Sequence, residues 1–250
     1  VDHGVIVDLE TTGLDFRQDK IIEVGLLEFA VDGSGPPVIV GTYSGLEDPG
    51  TPLLPEIAKL TGLGDRFLEG RKIDWPRVRS SLERASVVIA HNAEFDRSFL
   101  EARPELDGVR PHWACSARHI NWTKHGMRTR ALNWLAADHG FVNPFAHRAL
   151  FDCATTFRLV APYLNELLAR SWMREFLFQA VGAAFEKKDI LRKTGYRWDP
   201  AERVWWKRIF EDEVEAEREF LRKDVYGGEP RHREEEVRSS APSLEDPTVS

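Results

Sequence analysis

The chain has 250 residues, 42% apolar and 30% charged, with a net charge of −7. These proportions exclude collagen-like, mucin-like and wholly disordered chains, and the length allows one or two domains with a buried core. No apolar run approaches the roughly 18 residues that a membrane span needs, so no membrane association is expected.

The start, Val1-Asp2-His3-Gly4, has no basic region ahead of its apolar run, and no secretory signal is read there. The two cysteines, Cys115 and Cys153, can by themselves build neither a disulfide framework nor a four-ligand zinc site. A reducing cytoplasm is the expected compartment. Acidic groups outnumber basic ones twelve to three in residues 1–65, whereas basic groups outnumber acidic ones eight to four in residues 186–209. That segregation points to a metal site in the first stretch and an anionic partner for the second, although a mixed solvated surface is the simpler reading of charge alone.

Along the first 160 residues, strand-like and helix-like segments alternate. Gly4–Leu9 is a short apolar run that leads into acidic residues, Lys20–Val31 a longer strand, and Pro37–Tyr43 a third, with the turn-rich Asp32-Gly33-Ser34-Gly35-Pro36-Pro37 before it. Helical spacing begins at Pro55 with Ile57, Leu60 and Leu63, and continues over Trp75–Ala85. Ser86–Ala90 reads as a buried strand and Ala93–Arg103 as a helix. Cys115–Trp122 is ambiguous. Arg130–His139 reads as a helix stopped by Gly140, and Arg148–Arg170 as one long helix on Phe151, Thr155, Leu159 and Tyr163. The pattern predicts an α/β layer structure with a mixed sheet over residues 1–170.

From residue 171 the character changes. A short helix is expected over Lys187–Lys193, two strands at Tyr196–Trp198 and Val204–Lys207 around an Asp199-Pro200 turn, and a helix over Glu211–Val225 ended by Gly227-Gly228. Residues 171–228 therefore read as a small α+β extension, helix–hairpin–helix, and 229–250 as a polar disordered tail.

Three groups of residues carry chemistry. Asp8 and Glu10 are two apart at the end of a strand, so their carboxylates share a face and call for a hard cation between them. Taken alone, such a pair also occurs by chance on surface strands. His91-Asn92-Ala93-Glu94-Phe95-Asp96 follows a buried strand and opens a helix. Asp96 can serve the same cation, or Asn92 can be a helix cap and Asp96 a helix-start acid. Asp152 lies early in the long helix, with His147 five residues before it, an arrangement suited to a general base beside a metal ligand.

In this order, Val7-Asp8-Leu9-Glu10-Thr11-Thr12-Gly13-Leu14, His91-Asn92-Ala93-Glu94-Phe95-Asp96 and His147-Arg148-Ala149-Leu150-Phe151-Asp152 resemble the three motifs of the DEDD exonuclease superfamily. The histidine five before the last aspartate matches its DEDDh, DnaQ-like branch. That branch includes the proofreading epsilon subunit of bacterial DNA polymerase III, ribonuclease T and oligoribonuclease. The resemblance covers about residues 4–165 and includes Leu60-Thr61-Gly62-Leu63. It implies a ribonuclease H-like fold, with a five-stranded mixed sheet flanked by helices. It also implies 3′–5′ hydrolysis of phosphodiesters with two Mg²⁺ or Mn²⁺ ions, releasing nucleoside 5′-monophosphates.

By the same carry-over Asp8 bridges both ions, Glu10 and Asp152 complete the nucleophile side, Asp96 serves the second ion and His147 is the base. Thr11, Leu60, His91, Asn92 and Phe95 are the implied contacts to the terminal nucleotide, with Glu56 a weaker candidate. Phe151 and Cys153 depart from the acidic residue and alanine that many relatives have there. Neither is a ligand position, and Cys153 reads as a packing residue.

The expected substrate is the 3′ end of DNA, single-stranded ends preferred, in repair or proofreading beside a polymerase or repair partner. The alternatives are an RNA-trimming exoribonuclease and a noncatalytic nucleic-acid-binding module. In the extension, Tyr196, Trp198, Trp205 and Trp206 lie among eight basic residues. They read either as the core of a small unit or as a face that guides nucleic acid.

Overall fold

The structure, a computed structural model, describes residues 3–33 and 35–237, which form two compact units, 3–171 and 172–237. The first unit is built on a five-stranded mixed sheet of order β3-β2-β1-β4-β5. Its strands are β1 (Gly4–Thr11), β2 (Ile21–Ala30), β3 (Val38–Leu46), β4 (Val87–Ala90) and β5 (Trp113–Cys115). β1 runs antiparallel to β2 and parallel to β4, so the carboxyl ends of β1 and β4 lie together. The helices are α1 (Pro55–Thr61), α2 (Asp65–Leu68), α3 (Trp75–Arg84), α4 (Ala93–Glu101), α5 (Ser116–His119), α6 (Leu132–Asp138), α7 (Ala149–Val160) and α8 (Leu164–Ser171).

The alternation of β1 divides the core. Val5, Val7 and Leu9 pack with Trp75, Val78 and Leu82 of α3 and with Phe99 and Leu100 of α4. Ile6, one residue out of phase, packs with Leu135 of α6, Cys153 and Leu159 of α7 and Leu167 of α8. Asp8 and Glu10 have the parity of Ile6, so they emerge on the face that α7 crosses.

Gly25, opposite Asp8 in the β1–β2 register, permits that crossing. A Cβ at Gly25 would lie 2.4 Å from the backbone carbon of Ala149. Helix α4 begins directly after β4 and brings its first turn to the same end of the sheet, where ligands gather in open α/β structures.

The single helix expected over Arg148–Arg170 is instead two, α7 and α8, joined by a 3₁₀ turn over Ala161–Tyr163. Pro162 lacks the N–H that a continuous helix would use. Phe151 is 43% exposed and does not belong to the buried face, which Ala149, Asp152, Cys153, Thr155, Thr156 and Leu159 form. The ambiguous segment Cys115–Trp122 holds the last residue of β5 followed at once by α5.

The second unit also differs from the expected helix–hairpin–helix. It is a four-stranded antiparallel sheet of order β7-β8-β6-β9, with β6 (Glu175–Ala180), β7 (Arg197–Asp199), β8 (Val204–Phe210) and β9 (Arg233–Val237). Its helices are α9 (Lys188–Lys193) and α10 (Val214–Phe220), the latter continued by a π-helical stretch over Leu221–Tyr226.

Its own core contains Phe178, Leu191, Tyr196, Ile209 and Leu221, with Trp205 against it. Trp198 is 47% exposed and stacks obliquely on Trp205. Strand β9 falls within the segment read as a disordered tail. It pairs through backbone bonds that its polar side chains do not announce, and residues 238–250 lie outside the described residues.

Candidate active site

Asp8 and Glu10 stand at the end of β1, Asp96 in the first turn of α4 and Asp152 in the first turn of α7. Glu10, Asp96 and Asp152 are each less than a tenth exposed, and Asp8 is half-buried. Ligand atoms of Glu10, His147 and Asp152 lie within 4.8 Å of one another, a set able to hold a metal ion.

These carboxylates are deprived of water and repel each other. Burial first, then the charges of Asp96, Asp152, Glu10 and Glu23, push Asp8 well above the usual carboxylate range. Burial, followed by Asp152, Glu23 and Asp96, raises Glu10 to about 8. Asp96 is raised to about 8, again chiefly by burial, although the backbone amide of Leu9 opposes the shift. Asp152 is raised less, to about 6, because the amide of His147 and the side chain of Asn143 donate to it against the effect of burial. A cluster of oxygen donors held together at such cost fits a hard divalent cation, which would compensate the repulsion and replace the protons.

His147 is exposed, and its backbone is left-handed, with φ 61°. Its amide donates to Asp152 Oδ2 at 2.9 Å. Desolvation lowers its pKa from 6.5, so the ring is neutral at physiological pH.

The residues expected at the substrate are placed as follows. Leu60 is half exposed on α1, and Glu56 is exposed on the same helix. Phe95 is half-buried, with its ring 4.8 Å from that of Phe99. Asn92 occupies the N-cap position of α4, yet its side chain makes no capping bond. Thr11 is nearly buried beside an irregularity in the β1–β2 ladder, and its hydroxyl donates to the carbonyl of Gly13 at 2.5 Å.

His91 requires correction. Its ring is 6% exposed; Nε2 lies 2.6 Å from the carbonyl of Arg130 and so carries the proton, while Nδ1 accepts from the hydroxyl of Ser116 at 2.8 Å. Burial lowers its pKa to about 4. Both nitrogens are spent inside the fold, and none is left for a nucleotide.

Three residues enter the site that sequence reasoning passed over. Glu23, 1% exposed on β2 opposite Glu10, accepts a two-pronged bond from Arg148. Asn143 donates to Asp152 Oδ1 at 2.5 Å. The available signals were a lone charge inside the apolar run Ile21–Leu27 and an arginine inside the third motif. Cys153 is fully buried behind Asp8, and its thiol is pushed far up by burial, so it packs and does not react.

The sequence profile of RNase_T, described as exonuclease, matches residues 5–160. The chain belongs to this DnaQ-like 3′–5′ exonuclease family. Within the curated relatives, a PolC-type DNA polymerase III from Thermotoga petrophila is 35% identical over 169 residues, covering 64% of this chain and 12% of the polymerase. The chain thus matches only a small part of that protein's length. A ribonuclease T from Haemophilus influenzae is 25% identical over 189 residues, covering 65% of this chain and 80% of the relative.

Among solved structures, a full-length 3′-exonuclease superposes with a TM-score of 0.53 at 16% identity, over 66% of this chain and 61% of that one. It shares the ribonuclease H-like fold of the first unit. DnaQ-like exonucleases work with divalent metals, and the carboxylate–histidine cluster supplies a site for one. Among the described residues no helix is long and apolar enough to cross a membrane.

Proposed function

We propose that the protein is a metal-dependent exonuclease that removes nucleotides from the 3′ end of DNA, preferring single-stranded ends, and releases nucleoside 5′-monophosphates. The observation that carries this reading is the gathering of four buried or half-buried carboxylates and an exposed imidazole at the carboxyl end of β1. Asp8, Glu10, Asp96 and Asp152 would hold two Mg²⁺ or Mn²⁺ ions. Such ions lower the pKa of water and stabilise charge on the phosphoryl oxygens.

His147, neutral at pH 7, accepts a proton from the attacking water on an imidazole nitrogen. The water oxygen attacks phosphorus and the bond to the 3′ oxygen of the preceding nucleotide breaks; that oxygen stays on the shortened strand and takes a proton from solvent. The freed 5′-phosphate leaves on the terminal nucleotide. Leu60, Phe95, Asn92 and the backbone about Thr11 hold that nucleotide by contacts tolerant of base identity.

PolC-type DNA polymerases among the relatives favour DNA, and a role beside a polymerase or in repair follows from the same likeness. The ribonuclease T relative keeps RNA as the competing substrate. Degradation of 3′- and 5′-labelled single-stranded DNA and RNA, with Mg²⁺ or Mn²⁺ and with EDTA, separates these readings. Shortening of DNA from the 3′ end, lost with EDTA and in Asp8→Ala, is expected. Faster shortening of RNA moves the substrate to RNA. Intact strands with every metal would sink the nuclease reading in favour of a binding module.

A further inference from the structure

We propose that the ion pair of buried Glu23 with half-buried Arg148 is a positioning device. It fixes the backbone at His147 so that the imidazole is presented to the reaction. The inference rests on the role given to His147 above.

Glu23 faces Glu10 across the β1–β2 ladder, where like charges destabilise. A residue with no task there would be better replaced by an apolar one. Its oxygens accept chiefly from one short segment, with the Ser44 hydroxyl of β3 a longer donor to Oε1 at 3.4 Å. Arg148 Nε donates to Oε2 at 3.0 Å and Nη2 to Oε1 at 3.2 Å, and the amide of Ala149 donates to Oε2 at 3.3 Å.

Arg148 is the N-cap residue of α7, extended at φ −129° and ψ 112°, and its own side chain caps nothing. Glu23 supplies the missing acceptor from across the sheet. The preceding residue, His147, is in the left-handed region without being glycine, a conformation that persists only where its flanks hold it. On one flank stands the Arg148–Ala149 grip on Glu23. On the other, Asp152 accepts from the His147 amide and from Asn143, whose own Oδ1 accepts from the amide of Phe145 at 3.1 Å.

Positions 143, 147, 148 and 149 are therefore tied to two carboxylates, and the imidazole of His147 is exposed between them. The fork of a guanidinium matches both oxygens of Glu23; a lysine ammonium reaches one.

A double-mutant cycle on the full chain tests this, with a 3′-labelled single-stranded DNA oligonucleotide and Mn²⁺. Arg148→Met is expected to lower kcat by about 10- to 100-fold, the usual cost of losing a supporting contact around a metal site. KM should stay within about 3-fold, as for loss of an interaction that does not bind the ground state. Arg148→Lys should restore little. In a His147→Ala background the same Arg148→Met change should cost less than about 2-fold, because the residue it serves is gone.

An equal loss in both backgrounds, or full kcat in Arg148→Met, overturns the proposal. If Arg148→Met does not fold, the cycle is run on Glu23→Gln/Arg148→Met, which leaves no buried charge unpaired. His147→Ala with undiminished turnover removes both the base assignment and the positioning inference. Loss of cleavage in Asp8→Ala would still uphold the nuclease reading in that case.

Discussion

Replacing Asp8 by asparagine is expected to act in opposite directions on activity and stability. The substitution keeps the shape of the side chain and removes a carboxylate whose pKa is held high by burial and by four acidic neighbours. A carboxyl group raised in this way contributes stability at low pH. That contribution is lost as pH rises from the unfolded value of 3.8 through the folded one. At pH 8, with EDTA present, the wild-type carboxylate opposes folding. Asp8→Asn should therefore raise the melting temperature at pH 8 more than at pH 5. Nuclease turnover should fall by at least about 10³-fold, the scale of losing a principal electrostatic group. Thermal scans with EDTA and a turnover assay check the two halves, and a lower melting temperature at pH 8 would contradict the electrostatic account.

At this scale the gathering of Asp8, Glu10, Asp96 and Asp152 was legible, because two-residue spacing on a strand and acids at helix starts place the carboxylates; His147 came from its motif. Glu23 was not. Its partner is 125 positions away, and only the β2 register against α7 brings the two together. His91 was named as a contact only by carry-over from the family motif. Whether its ring turns out or in depends on Ser116 and Arg130, which no local pattern couples to it.

Among the elements, α7 carries Asp152 with His147 just before its start, and its position depends on a missing side chain. Gly25→Ala would drive a methyl into the backbone between Ala149 and Leu150, at 2.4 and 2.5 Å, where no flexible side chain can yield. Helix α7 must then lift from β1 and β2. A loss of at least about 1–3 kcal/mol is expected from overpacking of this kind, together with loss of nuclease activity as Asp152 and His147 leave Asp8. Gly41→Ala on β3 is the control, since its nearest neighbour would be 3.7 Å away. Urea unfolding and turnover of the two variants decide the matter, and equal behaviour would show that α7 tolerates displacement.

Strands β1 to β4 could be read from their apolar runs, whereas β5, only three residues long, could not. The break between α7 and α8 was also available, in Pro162. Strand β9 was hidden for a physical reason. Arg233-Glu234-Glu235-Glu236-Val237 has almost no apolar side chain, and its strand character comes from the ladder to β6 and from the Arg218–Glu234 pair.

At the scale of the whole molecule, the four carboxylates belong to residues 3–171 alone, while residues 172–237 have their own apolar cluster. Metal should therefore act on the unfolding of the first unit. With Glu10 and Asp96 raised to about 8, both hold protons at pH 6 in the absence of metal, and an entering cation must displace them. At pH 8 about half of that competition is gone, by the definition of a pKa. The same concentration of Mn²⁺ should then raise the melting temperature more at pH 8 than at pH 6, by the mass-action stabilisation that any ligand of the folded state gives.

Calorimetry should resolve a second transition that Mn²⁺ leaves in place. Leu221→Ala, at a fully buried position of the second unit, should lower that transition by an amount corresponding to about 2–5 kcal/mol. It should leave the metal-dependent transition where it was. A Mn²⁺ increment that is larger at pH 6 would contradict the assignment of raised carboxylates as ligands. A metal-induced shift of both transitions together would show that the two units unfold as one.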